Sequence, residues 1–73
     1  MTDRQYSLFI KMLKGLKVAK IGDYTFCIKL RYNDIYQLDQ IHQGTAVTLH
    51  VGTYNECVEV AKDCVQMMFG ILN

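Results

Sequence analysis

Proline and tryptophan are absent from this chain, and serine occurs once, as Ser7. Without proline there is no rigid linker or polyproline tract, so nothing marks a hinge between domains. The length, 73 residues, leaves room for one small domain spanning 1–73. Long apolar runs are missing as well: none approaches the roughly 18 uninterrupted apolar residues of a membrane span. The opening Met1-Thr2-Asp3-Arg4-Gln5 is polar and lacks the apolar stretch of a signal peptide. Nor does charge of one sign dominate, since eight Lys and Arg oppose seven Asp and Glu. With 51% apolar residues the chain is too hydrophobic for a disordered tail. The expectation is a single soluble cytoplasmic domain that makes no use of a membrane.

Cysteine is sparse and odd in number: Cys27, Cys57 and Cys64. An odd count argues against a closed disulfide framework. Cys57 and Cys64 fall on a helical pattern two turns apart, about 10 Å, which is too far for a bridge. No CxxC pair frames a zinc site, so the thiols read as small buried hydrophobes. Glycine is scattered over turns and helix ends and forms no phosphate-binding loop. The one thiol–imidazole pair within reach is Cys27 with His50, both read as outward on a sheet. Residues of such common types meet often by chance. The chain is therefore expected to be no enzyme, with no cofactor and no metal.

What is present is periodic. Residues 3–16 read as a helix, with Tyr6, Phe9, Ile10, Leu13 and Leu16 at three- and four-residue spacing and Leu8 and Met12 widening the stripe. Thr2 or Asp3 caps it, and Gly15 marks its end. Gly22-Asp23 fits a two-residue type II′ turn that pairs Ile21 with Tyr24 and Ala19 with Phe26. Residues 24–32 alternate cleanly, which puts Tyr24, Phe26, Ile28, Leu30 and Tyr32 on one face.

Residues 34–42 fit either a short helix or a strand. The strand, entered by a loop over 33–35, pairs Tyr32 with Tyr36 and Leu30 with Leu38 and is preferred. A turn over 41–44 leads to a strand at 45–51, with Val47, Leu49 and Val51 inward and Thr48 and His50 outward. Thr53 and Glu56 then form a capping box that opens a helix to about residue 70. The expected fold is α+β: a small antiparallel β-meander of three or four strands with an N-terminal and a C-terminal helix, in the order α-β-β-β-β-α.

The junction Leu49-His50-Val51-Gly52-Thr53-Tyr54-Asn55-Glu56-Cys57 resembles the last-strand-to-helix junction of integrase amino-terminal arm-binding domains and of HicB-type antitoxins. Where those families often carry alanine after the glutamate, this chain has Cys57. The resemblance implies a meander followed by a helix, and it brings nucleic-acid binding in as an alternative function.

Two surfaces stand out. Met67, Met68, Phe69, Ile71 and Leu72 extend the last helix's apolar stripe past the ordinary arc. Met67, Met68, Phe69 and Ile71 are the candidates for self-association as a homodimer, and folding back onto the first helix is the competing reading. Residues 1–32 carry seven basic and two acidic residues, whereas 33–73 carry one basic and five acidic. Lys20, Lys29 and Arg31, with Lys17 at the margin, fall on the outward sheet face. Together with Tyr36 they are the candidate contacts for a protein partner. The expected function is a non-enzymatic protein-binding module, a small regulator or inhibitor of the kind phages and mobile elements carry. The alternative is a small nucleic-acid-binding domain on the same basic face, although most aromatics there point inward.

Overall fold

The computed structural model describes residues 1–70. Its elements are α1 (Asp3–Leu16), β1 (Val18–Ile21), β2 (Tyr24–Tyr32), β3 (Ile35–His42), β4 (Thr45–Gly52) and α2 (Tyr54–Phe69). The strands form one antiparallel sheet in the order β1-β2-β3-β4. The chain is thus an α+β fold in the order α-β-β-β-β-α, and residues 34–42 belong to a strand.

Both helices start on reciprocal caps. The Thr2 hydroxyl accepts from the Gln5 N–H while the Gln5 side chain accepts from the Thr2 N–H. Thr53 and Glu56 do the same for α2. α1 runs through Gly15 and ends on Lys17, which is left-handed at φ 61 and donates its N–H to the Leu13 carbonyl. The connections between strands are two-residue turns. Gly22 has φ 57 while Asp23 stays negative, the sign pattern of a type II′ turn. Gln43 and Gly44 are both positive, at 52 and 80, as type I′ requires.

Ala19, Phe26, Ile28 and Leu38 line one face of the sheet, and both helices cover it. Phe9 and Leu13 of α1 and Cys57, Val58, Ala61 and Val65 of α2 complete the core. Phe9 meets Phe26 edge to face, with centroids 5.4 Å apart.

Two bulges set the registers the sequence did not anticipate. The β2–β3 loop is Asn33-Asp34, so Leu30 lies opposite Tyr36 and Ile28 opposite Leu38. Arg31 is the extra residue before Tyr32 pairs with Ile35. Leu30 and Tyr32, expected in the core, are both exposed. In the β3–β4 pair the register shifts between Leu38–His50 and Asp39–Thr48, leaving Leu49 as the extra residue. Beyond a bulge, alternation inverts. His50, expected outward, turns toward α2, and Val51, expected inward, joins the uncovered face opposite Gln37.

Candidate functional site

The second face of the sheet has no covering layer among the described residues. Cross-strand partners share a face, so its composition follows from the registers. One row runs Lys20, Thr25, Ile41, Ala46 and the next Val18, Cys27, Asp39, Thr48. A third holds Lys29, Gln37 and Val51, and Tyr32 with Ile35 closes the end.

At the centre of this face sits an acid. Asp39 is 5% exposed although no element lies over it. Its own neighbours enclose it: Gln37 Nε2 donates to Oδ1 at 2.8 Å, Thr48 Oγ1 donates to the same oxygen at 2.9 Å, and Lys29 Nζ lies 3.1 Å from Oδ2. Gln37 also donates to Thr48 at 3.2 Å, which closes the cluster. Burial alone would push the Asp39 carboxyl up. The hydrogen bonds from Gln37, Lys29 and Thr48 and the Lys29 charge outweigh it and hold the group below the ordinary aspartate range.

Of the candidate partner contacts, Lys20 and Lys29 do share this face, two rows apart. Lys29 is matched by Asp39 rather than free. Arg31 is exposed, displaced by its bulge to the hairpin end. Tyr36 is parted from all three: it lies on the helix side, half-buried, its ring edge to face with Tyr54 at 5.4 Å. Lys17 goes with it, its ammonium 5.9 Å from the Tyr36 centroid. Sequence reasoning missed Asp39, Gln37 and Thr48. Their alternation, polar at 37, 39 and 48, was the available signal, but the bulge at Leu49 hid which residues would meet.

The candidate self-association residues have different settings. Met67 is 87% exposed. Met68 Sδ accepts from Gln40 Nε2 at 3.2 Å. Phe69 packs back onto the first turn, its ring edge to face with Tyr24 at 6.0 Å, where a Cβ on Gly22 would come within 3.2 Å of it. Phe69 thus folds back onto the β1–β2 turn, while Gln66, in the same last turn, reaches α1 through the Tyr6 hydroxyl. Ile71 lies outside the described residues.

Cys27 and His50 are on opposite faces of the sheet, so the thiol–imidazole pair is not assembled. His50 Nε2 instead lies 3.2 Å from Glu56 Oε1. That contact and the Thr53 N–H lower the Glu56 carboxyl below its ordinary range. Gly52 makes room for the pair, since a Cβ there would collide with the Glu56 carboxylate and approach His50 Nε2 to 2.8 Å. Burial pushes the Cys57 and Cys64 thiols up, away from thiolate character.

A shallow groove of about 390 Å³ opens beside α2, lined by Tyr24, Gln40, His42, Gln43, Thr45 and Val47. Its wall is the Tyr24–His42 stack, with centroids 4.2 Å apart. The Gln40 amide donates to Met68 and, at 3.7 Å, to Cys64, which holds it toward the helix. Among the described residues no group of three or more His, Cys, Asp or Glu is placed to hold a metal ion. No helix there is long and apolar enough to cross a membrane. Comparison with protein-family models, curated proteins and solved structures finds no match.

Proposed function

We propose that this chain is a non-enzymatic protein-binding module, a small regulator that acts by covering part of another protein with the open face of its sheet. The observation that carries the reading is the make-up of that face. Where an antiparallel sheet meets water its residues are ordinarily polar. Here Val18, Cys27, Ile35, Ile41, Ala46 and Val51 stand on it. The polar groups among them are bonded to one another around Asp39. A face that is apolar between internally satisfied polar groups loses little when water leaves it, as the centre of a protein interface requires. Lys20 and Arg31 at its margins favour a partner with acidic groups around an apolar centre.

The same geometry disfavours the nucleic-acid alternative. Phosphate binding needs unpaired cations, yet Lys29 is matched by Asp39, so the centre of the face carries no net positive charge.

The test compares the full chain with an Ala46→Lys/Val51→Lys variant as bait in extracts of cells that express the protein, after circular dichroism has shown that both fold. A discrete protein retained by the wild type and lost by the variant is the expected result. Equal retention by both, or material released by nuclease and moderate salt, overturns the reading.

A further inference from the structure

Helix α1 carries two apolar stripes and its own domain uses one. Phe9 and Leu13 are buried against the sheet, with Tyr6 and Ile10 packed beside them. Leu8, Met12 and Leu16, at i, i+4 and i+8, form a second ridge that is 57%, 37% and 67% exposed. The other helix fixes which way this ridge points. Gln66 Nε2 of α2 donates to the Tyr6 hydroxyl at 3.1 Å, and the Tyr54 hydroxyl donates to the Lys14 carbonyl at 3.0 Å. α2 therefore lies along the Tyr6 flank of α1, and the ridge lies on the opposite flank, beyond β1.

β1 is an edge of the sheet and pairs with β2 alone. Among the described residues its outer backbone groups have no ladder partner, which makes it a template for another strand. The two features run along the same border. They also match in length: eight helical residues rise about 12 Å, and four strand residues span about 13 Å.

We propose that this border is a self-association surface whose occupant is a second copy of this chain. β1 pairs antiparallel with β1 of the second copy about a two-fold axis, merging two four-stranded sheets into one. The Leu8–Met12–Leu16 ridges of the two α1 helices then pack over the seam. A foreign strand could satisfy the edge, but the ridge above it needs a partner that also brings an apolar helix to the same side. A two-fold copy supplies both by symmetry.

The register follows from keeping the helices on one face, because residues sharing a face must stay opposite. Pairing centred on Ala19 sets Ala19 against Ala19, the smallest side chain of β1, at the point where the helices converge. It also sets Val18 against Lys20, so the two lysines do not face each other. A stable interface removes about 800 Å² from each partner, about a sixth of the 4834 Å² surface.

The inference does not depend on the open face, which stays uncovered in the dimer. It carries a sign of its own, because Arg4 continues the Leu8–Met12–Leu16 row one turn earlier and Lys11 borders it, which puts like charges on both sides of the seam. Salt screens that repulsion, so association strengthens as salt rises, whereas phosphate binding weakens.

The experiment is sedimentation equilibrium of the full chain in reducing buffer, over a concentration series at low and high salt. A concentration-dependent dimer that tightens with salt is expected. Leu16→Lys, and independently Leu8→Lys, should each weaken it about tenfold or more, a loss of about 1.4 kcal/mol, with unchanged circular dichroism. Met67→Lys should leave it intact. Should a ridge variant fail to fold, hydrogen exchange of the wild type decides: β1 amides must gain protection with concentration. A monomer throughout, a dimer that only Met67→Lys breaks, or β1 amides indifferent to concentration would each overturn the proposal.

Discussion

The two faces of the sheet bury their centres by opposite means, and β3 shows both in consecutive residues. Leu38 is 0% exposed beneath the helices; Asp39, on the other side, is 5% exposed beneath nothing but its neighbours' side chains. On the covered face stability comes from apolar area and close packing, with Phe26 and Leu38 against Phe9 and Val65. On the open face it comes from a carboxylate whose three donors stand in for water. A charged group can therefore be buried in a single sheet without a second layer, provided its neighbours in its own row and in one flanking row are polar and long enough to close over it. A small domain that cannot cover both faces gains an ordered open face in this way.

The sharpest way to break the contrast is to remove the centre of the covered face. Phe26→Ala should cost about 3–5 kcal/mol in urea unfolding, from lost transfer energy and the cavity left beside Phe9. A loss under about 1 kcal/mol would mean that the helices do not seat on this face.

Asp39→Asn tests the other centre. It retains the shape and removes the charge that Lys29, Gln37 and Thr48 hold, so a cost of about 1–2 kcal/mol at neutral pH is expected. The linkage has a definite sign. A carboxyl held below its ordinary range contributes stability that is fully present above the unfolded value of about 4 and is lost as pH falls through the folded value. Wild type and variant should therefore differ most near neutrality and converge in acid, with the residual slope of the variant set partly by Glu56. Parallel curves across pH 2–7 would show that the cluster does not bias the carboxyl.

Local patterns made the meander, both helices, the Thr53–Glu56 box and the Gly22 turn legible, because each rests on residues a few positions apart. What the sequence concealed was register. A bulge adds one residue without changing composition. Arg31 and Leu49 therefore left no trace, while Tyr32, His50 and Val51 changed sides. Asp39's partners come from β2, β3 and β4, and no local pattern joins them before the register is known. Lys20 and Lys29 were legible on the open face by alternation; the partner that neutralises Lys29 was not. Leu8 and Met12 looked like a wider core stripe, because a helical wheel does not say which flank a second helix will occupy.

Smaller effects refine the comparison at its boundary, where β4 passes from the open face to the cap of α2. Gly52→Ala drives a methyl into the Glu56 carboxylate, which must then release His50 or the Thr53 N–H. A loss of about 1 kcal/mol is expected, the ordinary worth of an N-cap. It should vanish in a Glu56→Ala background, and a full loss there would place the strain elsewhere.

The smallest expected effect isolates the bulge itself. Val51→Thr keeps the shape and β-propensity of the side chain while adding a hydroxyl. If β4 alternated without interruption, Val51 would point beneath the helices and the hydroxyl would be desolvated without a partner, at about 1–3 kcal/mol. With Leu49 as the extra residue, Val51 lies opposite Gln37 on the open face, 43% exposed, where the hydroxyl keeps water or joins the amide. The change in unfolding free energy should then stay within about 0.5 kcal/mol. The same substitution at Val58, buried on α2 against the covered face, should cost more, so the pair of measurements separates a valine on the open face from one in the core.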